Sequence, residues 1–282
     1  MKQRVVSVIA LAGLCAAVNA ATTVEILVST DGVNFASTML FTPGSGLTTY
    51  EVMVRVSTTN TAALGLHSII FQPTVSNWRA TDALLPFTES FGGPVPPPTP
   101  DGVPDAPGEY GRISPWALVA NTTSQRLIGH VHLASGGANQ PPTGTYLRIA
   151  QAQVTSWIGG TGNTSGNSGV NIRQLNNIGR TASDPAFVSQ ITDVRVFRFG
   201  IQLDTNVAGR SSIIIDAPRS GFGNVNTATG NREVHWFADM NEPAGSIREM
   251  ANVIPATIVV PGPGVMGVLG LGILSVARRR RS

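Results

Sequence analysis

Apolar and polar residues alternate with a period of two along much of this chain. Val24, Ile26 and Val28 are separated by Glu25 and Leu27, and Tyr50, Val52, Val54 and Val56 by Glu51, Met53 and Arg55. Successive strand side chains point to opposite faces, so each segment predicts a β-strand buried on one face. Further strands are expected over residues 39–42, 66–72, 114–120, 126–133, 145–157, 194–203, 212–216 and 233–238, with Gly, Asn, Ser, Thr and Pro clustered between them. No body segment of helical length repeats with period 3.6, and residues 171–178 read as a short helix or 3₁₀ turn. About ten strands with turn-rich connections predict an all-β fold, an antiparallel β-sandwich of jelly-roll or immunoglobulin-like type.

Two connections are longer than such a sandwich needs. Residues 92–108 are proline-rich, which removes amide donors and favours an extended chain, and residues 159–169 are almost entirely Gly, Asn, Ser and Thr. Neither flank of these loops closes a sheet alone without leaving an unpaired edge, so residues 21–255 are expected to form one domain with two excursions.

The pattern changes at both ends. Lys2 and Arg4 precede an apolar stretch over residues 5–18, and Val18-Asn19-Ala20 places small residues ahead of Ala21. That order reads as a secretory signal peptide over residues 1–20, an apolar helix cut between Ala20 and Ala21. Cys15, the only cysteine, lies inside it behind a bulky Leu14, so lipidation is not expected and the mature chain uses no disulfide or thiolate. At the other end, Pro261-Gly262-Pro263-Gly264 opens onto an apolar run over residues 265–277, closed by Arg278, Arg279, Arg280 and Arg281. As a helix the run spans roughly 20 Å, short of a comfortable membrane crossing. Residues 256–282 are therefore assigned to a membrane-seeking tail that is processed like a sorting signal.

Here the chain resembles the bacterial PEP-CTERM sorting tails, which combine a Pro-x-Pro motif, an apolar helix and an arginine cluster. It departs from their pattern at Gly262, where the family carries glutamate. The resemblance implies a sorting protease as partner and a place on the cell surface or among extracellular polysaccharide.

Charge and candidate chemistry alter this picture little. The whole chain carries 19 basic and 16 acidic residues, but Lys2, Arg4 and the four tail arginines belong to the targeting ends. The body between them is left at net −3 with no lysine, which gives no basis for binding nucleic acid. His130 and His132 share one strand face and could ligate a metal, yet no third ligand is evident, and a polar outward face with Leu127, Val131 and Leu133 turned inward is the simpler expectation. His235, near Glu233 and Asp239, sits in an ordinary strand pattern. Asp101, Asp105 and Glu109 recur in the proline-rich loop without the order of a calcium loop. Ser29-Thr30-Asp31-Gly32-Val33-Asn34-Phe35 faintly resembles the Asp-box hairpin of sialidase-type propellers, but one copy makes no propeller, and Asp31-Gly32 is expected to be a turn. Of Trp78, Trp116, Trp157 and Trp236, at least two are expected in the core. No Gly-x-Ser-x-Gly elbow occurs.

These observations predict no catalytic residue, metal or cofactor. They point to an exported β-sandwich with a structural or adhesive role in the envelope or extracellular matrix, held to the membrane by its tail. The alternatives are a carbohydrate- or calcium-binding surface module and, from a different class, a secreted hydrolase.

Overall fold

The computed structural model describes residues 21–41, 43–44, 46–88, 106–113, 127–134, 144–151, 169–173, 185, 187–206, 208–217, 233–238 and 247–261. The expected terminal helices, the loop over 159–168, and Trp116 and Trp157 lie outside these residues. Among the described residues the chain is all-β, with no helix.

The strands with the clearest alternation occupy the middle of the larger sheet. β1 (Thr22–Ser29) pairs antiparallel with β3 (Leu47–Thr58), which pairs antiparallel with β11 (Val194–Asp204). Val24, Ile26 and Val28 face inward with Tyr50, Val52, Val54 and Val56, all fully buried. β2 (Thr38–Leu40) follows β1, and the large sheet is completed by β4 (Gly65–Phe71), β6 (Ala83–Leu84), β7 (Gly111–Arg112), β10 (Val170–Arg173), β13 (Glu233–Phe237) and β14 (Ile247–Ile254). Its order is β10-β4-β13-β14-β1-β3-β11-β6, with β7 also on β11. A second sheet runs β2-β15-β12-β5-β9-β8, built from β5 (Thr74–Val75), β8 (Leu127–Ala134), β9 (Gly144–Gln151), β12 (Ile213–Asp216) and β15 (Ala256–Val259). Inner side chains of both sheets meet in one core that includes Trp236, Phe71, Phe197, Ile149, Ile215 and Ile258.

Two prolines turn the corners between the sheets. β4 leads through Gln72-Pro73 into β5, and β14 leads through Pro255 into β15, so each chain segment leaves one sheet and enters the other. Proline has no N–H for a ladder, which ends pairing on one side and frees the strand to bend. Strands from before, between and after the two long loops are interleaved: β4, for example, lies between β10 and β13.

The sheets are mixed, not purely antiparallel as the sequence pattern predicts. β1 pairs parallel with β14, Thr22 opposite Ala251, and β2 pairs parallel with β15, Met39 opposite Ile258. Parallel neighbours need a long crossover, here nearly the whole chain, and periodicity carries no information on strand direction. Residues 171–173, the described part of the expected short helix or turn, belong to strand β10 instead, with Val170 and Ile172 fully buried two residues apart. The assigned start of the tail also needs correction: residues 256–259 are a body strand, with Ala256 and Ile258 fully buried and paired to β12 and β2. Trp78 and Trp236 are core residues, 6% and 0% exposed.

Candidate functional sites at the chain ends

Of the two residues flanking the expected leader cut, Ala20 lies outside the described residues, and Ala21 is exposed at the very edge of the folded body. The Ala21 amide donates to Thr59 Oγ1 at 3.0 Å, and its carbonyl accepts from the Thr59 amide at 3.3 Å. One residue later Thr22 is fully buried between β14 and β3. Its hydroxyl donates to Glu249 Oε2 and accepts from Trp236 Nε1 at 2.9 Å. Glu249 also accepts from Thr58 Oγ1 at 2.7 Å and from Asn60 Nδ2 at 2.6 Å. One carboxylate thus ties the first strand, the end of β3 and the β3–β4 turn together.

Partial burial raises the Glu249 carboxyl, but hydrogen bonds from Thr22, Asn60 and Thr58 outweigh it and hold the group below the ordinary glutamate range. A lowered folded pKa means stabilisation that is present above the unfolded value and lost as pH falls through the folded value. Glu249→Gln should therefore lower stability by about 1–2 kcal/mol at neutral pH, with the gap to the parent closing below about pH 4. Chemical denaturation of both proteins across that range checks it; a pH-independent gap would show that the carboxylate charge is irrelevant.

At the other end, Pro261 is partly buried and directly follows the last ladder, while Gly262, Pro263 and Arg278 to Arg281 lie outside the described residues. The Val260 amide donates to Ser212 Oγ at 3.3 Å, so the body is hydrogen-bonded to within one residue of the Pro-x-Pro motif. Among the described residues no helix is long and apolar enough to cross a membrane.

The interior candidates are dispersed. His130 lies on β8, paired with β9 opposite Arg148; burial and then the Arg148 charge push its imidazole below the ordinary histidine range. His132 occupies the same strand. The side chains expected to turn inward from β8 do so only in part. Leu127 is buried, but Val131 and Leu133 are 58% and 80% exposed, because β8 is an edge strand whose far half projects beyond the core. His235 is buried with its ring 6.3 Å from and nearly parallel to His67 of β4, and His67 packs edge-on to Phe237; Asp239 lies outside the described residues. Ser68 Oγ is 2.7 Å from His67 Nδ1, and both residues are buried. Asp101 and Asp105 lie outside the described residues, and Glu109 caps its own turn by accepting from the Ala106 amide. No group of three or more His, Cys, Asp or Glu among the described residues is placed to hold a metal.

Asp31-Gly32 is a turn as expected, with Gly32 at φ 69° and Val28 bridged to Ala36. Asp31 Oδ1 accepts from the Val33 and Asn34 amides at 2.9 and 2.8 Å, which with Ser29 drives its carboxyl far below the usual range. The turn is held on the outer face of the large sheet by two residues that periodicity marks only as polar. Arg198 donates to Glu51 and, at 2.7 Å, to the Gly32 carbonyl, and its guanidinium lies 5.4 Å from the Phe35 ring centre. Burial and the Glu51 carboxylate raise the Tyr110 phenol beside them. A second buried pair joins Arg210 to Asp82 at 2.6 Å, both side chains fully enclosed. The Arg198–Glu51 and Arg210–Asp82 pairs are buried, an arrangement that stiffens the strands around them. No protein-family model, curated protein or solved structure matches the chain.

Proposed function

We propose that this is an exported protein of the cell envelope or extracellular matrix with a structural or adhesive role, its body a two-layer β-sandwich held by a C-terminal sorting tail. The observation that carries the reading is the order of residues at the carboxyl end: a core strand ending at Val259, then Pro261-Gly262-Pro263, an apolar run and four arginines. An apolar run of that composition seeks a bilayer, and the arginines resist translocation and hold its end on the cytoplasmic side. Support also comes from the interior, where the charged groups are spent on internal pairs: Asp82 with Arg210 and Glu51 with Arg198. The tail then binds the membrane and a sorting protease, and the body meets extracellular polysaccharide or other envelope components.

Truncation after Val260 tests the reading. The shortened protein should appear folded in the medium with an unchanged melting temperature, whereas the full chain fractionates with membranes. A truncated body that aggregates or melts much lower would place the tail within the core and overturn the sorting role.

A further inference from the structure

We infer that the end of the body from which the tail departs rests on the lipid surface, with Leu40 and Leu47 in contact with the membrane interface; this rests on the membrane-seeking tail proposed above. The exit end can be traced through hydrogen bonds. Val259, the last residue of β15, is the register partner of Leu40, and the Phe41 amide donates to the Val259 carbonyl at 2.9 Å. The Gly44 amide donates to the Thr205 carbonyl at 3.3 Å and the Thr205 amide to the Gly46 carbonyl at 2.9 Å. Leu47, next in the chain, pairs with Asp204. Leu40 and Leu47, 71% and 52% exposed, therefore stand on the same end of the molecule as the departing chain.

Single exposed leucines are ordinary on a protein surface and by themselves indicate nothing. Their position relative to the tail is what matters. Five residues separate Val259 from Val265, where the apolar run begins, and the six fully extended steps between them reach only about 20 Å. The tether keeps this end beside the bilayer, so even a small apolar contact is intramolecular and needs little affinity of its own. Around the leucines the polar groups suit the headgroup level. Arg79 donates to the Asn206 and Ala208 carbonyls at 2.6 and 2.7 Å, and Asp204 accepts from the Asn206 amide and Thr81 hydroxyl. The opposite end, with Ala21 and the 60% exposed Met250, lies roughly 35 Å away along β3, given about 3.3 Å per residue. The amino terminus then points away from the membrane.

The only cysteine, Cys15, lies in the expected leader, so the mature chain from Ala21 to Ser282 has no competing thiol. In that chain Leu40→Cys, Leu47→Cys and Met250→Cys are each labelled with an environment-sensitive fluorophore. The labelled chain, with its tail, is then reconstituted into phosphatidylethanolamine–phosphatidylglycerol vesicles containing a lipid-borne quencher. Labels at 40 and 47 should be quenched roughly twofold or more relative to the label at 250, as expected for groups within several ångströms of the acyl boundary. Equal quenching at all three positions on vesicle-bound protein would overturn the orientation while leaving the tail reading intact. A full chain that does not bind vesicles at all would overturn both.

Discussion

Asp82→Ala should lower the stability of the body by roughly 3–5 kcal/mol, the cost of leaving one member of a buried ion pair without its partner. Asp82 is the acceptor for three donors: Arg210 Nη2 at 2.6 Å, the Asp204 amide at 2.9 Å and the Arg79 amide at 2.7 Å. Arg210 has no other hydrogen-bonded acid among the described residues: its Nε and Nη1 are buried without hydrogen-bond partners, the Phe41 ring lies 5.6 Å away, and the Asp204 carboxylate feels its charge only at a distance. The double variant Asp82→Ala/Arg210→Met removes the stranded charge and should recover part of the loss. It should remain about 2 kcal/mol below the parent, because the Asp204 and Arg79 amides still lack an acceptor. Denaturant titration of the parent and both variants measures this, and a double variant no better than the single one would show that the stranded guanidinium is not the cause.

Trp236→Ala should cost a similar amount, about 3–5 kcal/mol, for a different reason. Trp236 is fully buried on β13, between β4 and β14, and leads the enclosed side chains by volume. Truncation opens a cavity that strands paired on both sides cannot collapse to fill. It also removes the Nε1 donor to Thr22, the link between the core and the Glu249 network at the amino end. Trp236→Phe largely separates the two effects: it keeps most of the volume, loses the hydrogen bond to Thr22, and should cost about 1–2 kcal/mol. Alanine and phenylalanine variants of equal stability would mean that packing at this site contributes little.

Some features were legible from residue order alone. β1 and β3 could be read because their inner faces are uninterrupted apolar alternations, as in Val52, Val54 and Val56, and β11 because apolar residues recur on both sides of its irregularity at Val196. The Asp31-Gly32 turn was legible because a carboxylate that accepts from following amides and a glycine at positive φ are local chemistry. β14 was not legible, because its inward row includes Glu249, and a charged residue on a buried face looks like a loop until Thr22, Thr58 and Asn60 are seen around it. β15 was read as tail because Ile258, Val259 and Val260 run straight into the apolar carboxyl end, and only its pairing with β12 and β2 marks it as sheet.

By itself, the sequence determined that the chain is β-rich, which residues share a strand face, and where apolar ends flank a nearly neutral body. These depend on local geometry: a two-residue side-chain period, turn chemistry and composition. Tertiary structure alone decided strand direction and neighbours, which face of an edge strand is covered, and which charges are buried together. Those depend on contacts between residues far apart in the chain, such as Thr22 with Glu249, Glu51 with Arg198 and Asp82 with Arg210. No local pattern encodes such pairs, because each side chain becomes stable in the interior only when the fold delivers its partner.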